Sequence, residues 1–245
     1  MTEPLRIAMW SGPRNISTAM MRAWENRGDC VVSDEPFYAH YLAETRSDHP
    51  GRDEVIAAGE TDWRKVTDAL VGAVPDGAAI WYQKHMTHHL LPHIRRDWIY
   101  ALTNVFLIRD PDEVVSSYLR TRDTVTPEDI GIPQGRRLFD EIADRNGTPP
   151  PVIDADEFLR APEEHLRALC AGLAIPFTDR MLTWPAGPRA SDGIWAPHWY
   201  AAVWKSTGFE PPRERAAIRL EGEAKRVSDA CREDYELFRR QRIAV

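Results

Sequence analysis

The sequence predicts a three-layer α/β fold, in which a central parallel sheet lies between two layers of helices. Five short apolar runs alternate along the chain with longer segments of helical pattern, an order typical of a parallel sheet. Polar and charged residues follow directly after several of these runs, as they do at the carboxyl ends of strands in such sheets. The length of 245 residues is suited to one domain spanning residues 1–245.

The first half of the chain predicts three strands and two helices. A Ser-Gly-Pro-Arg-Asn loop separates the first strand from the first helix, and Asp34, Glu35 and Pro36 follow directly after the second strand. Residues 43–60 are polar and are predicted as a loop around a helix that becomes regular further on. The predicted strands are 5–10, 30–33 and 78–83, and the predicted helices are 17–27 and 63–74.

The second half predicts two more strands, over 104–108 and 152–154, each followed by a helix. Asp110 suits the N-cap position of the first of these helices, and Pro111 suits its first turn, where a missing N–H costs nothing. The remaining predictions are a short helix within the turn-rich residues 127–147, a helix from Pro162, and a long amphipathic helix over 213–242.

The composition excludes several classes of protein. A mean hydropathy of −0.47, with no apolar run long enough to span a bilayer, excludes a membrane span. The net charge of −7 argues against a general nucleic-acid binder, because such proteins need clustered cations. The three cysteines are odd in number and far apart, which favours buried thiols over a disulfide framework or a zinc cage. The N-terminus has no export signal, so we expect a cytoplasmic protein.

The loop WSGPRNIST lies between the first strand and the first helix, where a phosphate-binding loop is expected. Aligned from Gly12, the pattern GxxxxGK[ST] places Ser17, Thr18 and Ala19 at the second glycine, the lysine and the magnesium-holding hydroxyl. The metal ligand is therefore absent, but backbone N–H groups at a helix N-terminus still favour an anion. An ordinary Gly-Pro turn with Ser17 capping the helix is the alternative. The candidate anion-binding residues of this loop are Gly12, Pro13, Arg14, Asn15, Ser17 and Thr18.

A second candidate anion site follows the fourth strand, within LIRDPDEVVSSYLR. Arg109 stands at the strand end, and Ser117 lies about two turns into the next helix, so the two side chains can hold one phosphate from two sides. The alternative is an arginine at a helix start and a solvated serine.

Together these residues resemble the sulfotransferase family, whose donor, 3'-phosphoadenylyl sulfate (PAPS), has two anionic ends. The segment 13–18 is similar to the family's 5' loop, with Arg14 where the family commonly carries lysine, and Arg109 and Ser117 resemble the pair that holds the 3'-phosphate. The resemblance implies a P-loop NTPase-like sulfotransferase fold and a donor that leaves as 3'-phosphoadenosine 5'-phosphate (PAP).

The resemblance extends along most of the chain, with two departures. Residues 152–177 are similar to the strand and helix before the family's last cofactor loop, and residues 204–209 loosely resemble that loop, where Lys205 is a candidate for contact with a cofactor phosphate. Ile16 replaces the glycine of the 5' loop, and the late RKG triplet of the cytosolic branch is missing. The chain is most similar to divergent bacterial members.

Sulfuryl transfer needs a general base for the acceptor and a cation over the bridging oxygen of the donor. Arg14 is the candidate cation. Glu35 is the candidate base, because bacterial relatives carry a glutamate after the second strand, whereas animal cytosolic members use a histidine that follows a lysine after the third strand. His85 and His88, in QKHMTHHLLPH, are therefore also candidate catalytic residues, and their HxxH spacing leaves a metal site as an alternative. No metal is predicted, because no acidic partner stands at motif spacing.

The sequence leaves the acceptor and two other functions open. His198, in the aromatic segment IWAPHWYAAVW, marks a candidate lid or acceptor wall, with packing of the tryptophans in the core as the alternative. A small-molecule hydroxyl or amine acceptor is expected, and the oligomeric state is not predicted. The alternative functions are a P-loop small-molecule kinase and a non-catalytic adenosine-bisphosphate-binding protein.

Overall fold

The central sheet has five parallel strands in the order β2-β3-β1-β4-β5. The computed structural model describes residues 3–212 and 218–245. The strands are β1 Leu5–Ser11, β2 Cys30–Asp34, β3 Ile80–Met86, β4 Thr103–Ile108 and β5 Val152–Asp154. In the middle of the sheet Trp10 of β1 pairs with His85 of β3 and with Phe106 of β4. The predicted α/β fold with a parallel sheet is confirmed.

Helices cover both faces of the sheet. They are α1 Ser17–Glu25, α2 Tyr38–Thr45, α3 Arg52–Ala58, α4 Trp63–Val71, α5 Pro111–Tyr118, α6 Pro127–Ile130, α7 Ile132–Asn146, α8 Ala155–Phe158, α9 Pro162–Gly172, α10 Ala196–Trp199, α11 Ala201–Lys205 and α12 Gly222–Arg240. Within residues 3–212 and 218–245, none of them combines the length and the apolar character needed to cross a bilayer.

Side-chain alternation along the strands divides the core into two apolar layers. Ile7 and Met9 of β1 pack with residues of α1 and α9 on one face, while Ala8 and Trp10 pack with residues of α5, α7 and α12 on the other. Each layer has an apolar helix face on one side and an apolar sheet face on the other, which explains why both exclude water.

Three segments differ from the sequence prediction. Residues 43–60, predicted as mostly loop, contain the end of α2 and all of α3. The turn-rich region 127–147 contains the 15-residue helix α7, whose left-handed Gly131 and Gly147 lie at its two ends and not in its interior. Strand β3 continues to Met86, three residues beyond the predicted end. Of the predicted C-terminal helix 213–242, residues 213–217 lie outside the described residues.

The order of the strands places the loops after β1, β2, β3 and β4 at one edge of the sheet. Because β1 is central and the chain passes from β3 to β4 across it, the crevice at the carboxyl end of β1 is a topological switch point, where α/β folds bind ligands. Helix α12 closes the neighbouring side, since the Tyr235 hydroxyl donates to Asp154 at the end of β5 at 2.7 Å.

Candidate active site

A cleft of about 400 Å³ opens at this edge of the sheet. Its floor is formed by the loop after β1 and by the ends of β2 and β3, and α5 and the α10–α11 segment form its sides. Most of the predicted site residues line it. From the sequence-predicted set these are Pro13, Arg14, Asn15, Ser17, Thr18, Glu35, His88 and Ser117.

The loop after β1 is held in place from beneath. The Asn15 side chain donates from Nδ2 to the Leu107 carbonyl at 2.9 Å and accepts the Ile16 N–H at 3.0 Å, so it ties the loop to β4. Gly12 lies against the Ile130 carbonyl oxygen, which a Cβ atom at this position would approach to 2.2 Å. These contacts leave the amino end of α1, with Ser17 and Thr18, facing the cleft, where N–H groups and hydroxyls favour an anion.

The two candidate anion sites predicted from the sequence adjoin each other. Arg14 adopts a left-handed backbone conformation with φ of 56°, and its Nε donates to the Ser117 hydroxyl at 3.2 Å. Arg109 donates from Nη1 to the Arg14 carbonyl at 3.1 Å. Burial lowers the pKa of Arg14, and the positive charges of Arg120 and Arg109 lower it further, which indicates a concentration of positive charge here.

A second cavity of about 330 Å³ continues the cleft beyond the start of α1. The two share a wall formed by Ile16 and Ala19, and Arg109 lines the second cavity together with Leu159 and Phe209. Arg109 contacts the carboxylates of Glu113 at 3.4 Å and Asp156 at 3.7 Å, which keep its guanidinium in this position. The second cavity therefore combines an apolar wall with a partly buried cation.

A buried lysine organises the acidic end of the cleft. Lys84 of β3 is 1% exposed, and its three N–H groups donate to Asp34 at 2.8 Å, to Glu35 at 2.6 Å and to the Tyr200 hydroxyl at 2.7 Å. The Tyr200 hydroxyl in turn donates to Asp34, and the Gly193 N–H donates to the same carboxylate at 3.1 Å. The ammonium is thus fully satisfied, as a buried charge requires.

The protonation of this cluster follows from burial and pairing. Burial alone would lower the pKa of Lys84, but Asp34 and Glu35 outweigh it and raise that pKa well above its usual value. Burial raises the pKa of Glu35, and Lys84 reverses this only in part. The Glu35 side chain, 12% exposed, lines the cleft, and its backbone has a left-handed φ of 45°. Burial thus gives Glu35 a stronger tendency to take up a proton than a solvent-exposed carboxylate has.

The structure corrects the prediction for His85. Because side chains alternate along β3, Lys84 and Met86 face the cleft, while His85 points to the opposite face of the sheet. There it is 1% exposed and stacks on Trp10 with ring centroids 4.5 Å apart. Burial lowers the pKa of His85 to about 3, so it is a neutral residue of the core.

His88 does line the cleft, together with two further histidines. The His89 ring stacks between Tyr38 and Tyr41, with centroid separations of 4.9 Å and 4.6 Å, and its Nδ1 lies 3.9 Å from Glu35 Oε2. Burial lowers the pKa of His88 to about 3 and that of His49 to about 4. The cleft thus has a wall of neutral imidazole and phenol rings.

These depressed pKa values predict that the protein loses stability in mild acid. A neutral buried histidine takes up its proton only on unfolding, so stability is complete above the unfolded pKa of about 6.5 and declines as the pH falls. For His85 alone we expect a loss of about 2 kcal/mol between pH 7 and pH 5. In urea unfolding at a series of pH values, His85→Phe should remove this part of the dependence of the unfolding free energy on pH. An unchanged dependence would contradict the prediction.

Two further predicted residues, besides His85, lie away from the cleft. Lys205, at the end of α11, is exposed and lines neither cavity, although Ser206 and Phe209 of the following loop line the second one. His198 is exposed as well, while its neighbours Trp199 and Tyr200 form the rim of the cleft. Trp199 and Tyr200 of the predicted lid segment thus line the cleft, whereas its histidine does not.

Comparison with known proteins gives a family match over most of the chain. The model of the sulfotransferase domain matches residues 5–219. Two Arabidopsis thaliana proteins, branched-chain-amino-acid aminotransferase-like proteins 1 and 2, are 39% and 36% identical over 215 and 208 residues. These matches cover 87% and 85% of this chain but only 38% and 37% of the relatives, so the chain spans less than two fifths of their length.

Solved structures support the same fold. The sulfotransferase domain from the curacin biosynthetic pathway superposes with a TM-score of 0.52 and 16% identity, over 94% of this chain and 98% of that one. A sulfotransferase from Alicyclobacillus acidocaldarius superposes with a TM-score of 0.54 and 12% identity, over 96% and 93% of the two chains. Likeness at this identity extends to the fold alone.

Proposed function

We propose that this chain, which belongs to the sulfotransferase family, transfers a sulfuryl group from PAPS to a hydroxyl or amine of a small acceptor. The observation that carries the proposal is that the two candidate anion sites contact each other beside a cleft lined by Glu35. Arg14 of the first site donates to Ser117 of the second, and Arg109 of the second donates to the Arg14 carbonyl. A nucleotide with phosphates on both the 3' and the 5' position of its ribose needs two anion sites at such short range.

The two cavities suggest how the donor is held. The loop after β1 and the amino end of α1 receive the 5'-phosphosulfate, because N–H groups, hydroxyls and Arg14 converge there. Arg109 receives the 3'-phosphate, and the adjoining apolar wall with Leu159 and Phe209 receives the nucleoside. Arg109 must then exchange at least one of its contacts with Glu113 and Asp156 for phosphate oxygens.

Glu35 and Arg14 are assigned the chemical roles. Glu35 accepts the proton of the acceptor group, since it faces the cleft and burial raises its pKa toward neutrality. Arg14 would stabilise the negative charge that develops on the bridging oxygen of the donor as the bond to sulfur breaks. Lys84 and Asp34 position the Glu35 carboxylate through the buried ion-pair cluster.

The two alternative functions fit the cleft less well. A kinase needs a magnesium-holding hydroxyl and a lysine in the loop, and this chain has Ala19 and Thr18 at those positions. A non-catalytic nucleotide-binding protein has no use for a carboxylate with a raised pKa beside the anion site, whereas a transferase uses it as a base.

Calorimetry with PAP and with ATP plus magnesium tests the donor assignment. We expect PAP to bind more tightly, and we expect Arg14→Met and Arg109→Met each to weaken PAP binding by about 10- to 100-fold, since each removes a charge-assisted hydrogen bond. Arg95→Gln, which changes a 76%-exposed arginine paired with Asp97, is the matched control and should leave the affinity unchanged. Tighter binding of ATP with magnesium would contradict the assignment and favour a kinase.

A further inference from the structure

Arg122 lines the cleft from the loop after α5, and its guanidinium is fixed but not neutralised. Its Nη1 donates to the Asp48 carbonyl at 2.5 Å, and the guanidinium lies over the Trp199 ring, 5.5 Å from the centroid. Its Nη2 is buried and has no hydrogen-bond acceptor among the residues that the structure describes. Leaving a buried donor of a charged group unpaired costs free energy. The unpaired Nη2 therefore indicates that a ligand supplies the acceptor.

The charges around the cleft leave Arg122 as a surplus cation. The Lys84 ammonium is already matched by Asp34 and Glu35, and the cleft-lining histidines are neutral because burial lowers their pKa values. The nearby carboxylate of Asp129 accepts from the N–H and the hydroxyl of Thr126. Across residues 3–212 and 218–245 no carboxylate forms an ion pair with Arg122. Its charge is therefore available to an anion in the cleft.

Arg122 belongs to the aromatic wall, which is distinct from the anion-binding loop. Its charge lowers the pKa of His49, after the larger effect of burial, and it lies over Trp199, so it is next to the ring-lined side of the cleft. The phosphates of the donor have their own partners in Arg14 and Arg109. The position of Arg122 favours contact with the other reactant.

We propose that Arg122 selects an acceptor that carries a carboxylate, a hydroxy acid or phenolic acid whose ring or chain packs on Tyr38, Tyr118 and Trp199. This inference rests on the proposed function and names its substrate class. A guanidinium and a carboxylate match in shape and form paired charge-assisted hydrogen bonds, which fixes the acceptor at its anionic end. The opposite end then presents its hydroxyl to Glu35.

In this reaction the acceptor hydroxyl transfers its proton to the Glu35 carboxylate, and its oxygen forms the new bond to sulfur. The bond between sulfur and the bridging oxygen of PAPS breaks, and PAP leaves with that electron pair. The acceptor carboxylate is unchanged and remains on Arg122, so Arg122 determines specificity and takes no part in bond making.

The test compares acids with uncharged amides of the same shape, using the full chain with saturating PAPS. The probes are 4-hydroxyphenylacetate with 4-hydroxyphenylacetamide, and 6-hydroxyhexanoate with 6-hydroxyhexanamide. PAP release gives KM and kcat, and calorimetry on the PAP-saturated protein gives acceptor affinity where turnover is slow. We expect the wild type to prefer at least one acid over its amide by about 10- to 100-fold in KM or in affinity, the range for a charge-assisted pair. Arg122→Gln should remove the preference, and Arg122→Lys should restore part of it.

Three controls separate this inference from the proposed function. Thermal unfolding establishes that the variants are folded, and Arg95→Gln should keep the acid preference of the wild type. PAP affinity should be unchanged in Arg122→Gln, and a large loss there would assign Arg122 to the donor and overturn the inference. Failure to bind any acid, or an acid preference that survives Arg122→Gln, would overturn it too. A wild-type protein that does not bind PAP would instead contradict the proposed function.

Discussion

Replacing Lys84 with methionine is expected to lower the free energy of unfolding by about 3–5 kcal/mol, since it leaves two buried carboxylates without their cation. Methionine fills a similar volume, so the loss reports on charge and not on a cavity. For a chain of this size the change corresponds to a fall in Tm of roughly 6–20 °C, measured by calorimetry or circular dichroism. Asp34 keeps its bonds from Tyr200 and Gly193, but Glu35 loses its partner at 2.6 Å.

The pH dependence identifies the cause of that loss. Without Lys84 nothing opposes the burial that raises the pKa of Glu35, so the stability difference from the wild type should grow as the pH rises and shrink toward pH 5. The matched control is Lys65→Met, since Lys65 is 70% exposed and pairs with Glu60 at the surface. That variant should change stability by less than about 1 kcal/mol. A Lys84→Met variant as stable as this control would show that the cluster is not held by its ammonium.

The fold was predictable because its signals are local. Short apolar runs such as 104–108 are bounded by Asp110 and Pro111, which cap α5 as predicted, with the Asp110 side chain accepting the Asp112 N–H. Helices α2 and α3 were missed, because they are short and because residues 43–60 are polar and contain two glycines, which is typical of loop. What makes α2 helical is its packing, through the buried Tyr38 and Leu42, and packing is not visible in a local pattern.

The positions of the candidate site residues were predictable where they follow the end of a strand. They were less predictable where the facing of a side chain depends on how far the strand extends. Arg14, Glu35, Arg109 and Ser117 were predicted for this edge of the sheet because each stands at the end of an apolar run or in the helix that follows one. An underestimate of β3 by three residues led to the prediction of His85 for the cleft, whereas alternation within the longer strand places Lys84 there.

The contacts that bring residues of distant segments to the cleft carried no sequence signal. Tyr200 meets Lys84 across 116 residues, and Arg122 is held by the Asp48 carbonyl across 74 residues. The aromatic segment around Tyr200 was a candidate lid from its composition, but its anchoring to Asp34 depends on long-range hydrogen bonds. These bonds connect the rim of the cleft to its acidic floor, so the position of Tyr200 and that of the Glu35 cluster depend on each other.

Replacing Glu35 with glutamine is expected to reduce kcat by about 10²–10⁴-fold, since the amide cannot accept the proton of the acceptor group. PAP affinity should remain close to that of the wild type, because Arg14 and Arg109 are unchanged. Lys84 keeps Asp34 and Tyr200 as partners, so the variant should fold, which thermal unfolding can verify. Initial rates of PAP release, with the most active acceptor found in a screen, give the measurement.

The pH profile separates a base from a structural residue. Burial raises the pKa of Glu35, so the wild-type rate should decline in acid from a pH above the usual carboxyl value of about 4.3, as the carboxylate becomes protonated. That decline should be absent from the residual activity of Glu35→Gln, and the surface variant Glu60→Gln should retain the wild-type profile. Full turnover in Glu35→Gln together with its loss in His88→Gln would move the base to His88, the other cleft-lining residue of the predicted catalytic set whose ring is unprotonated at neutral pH.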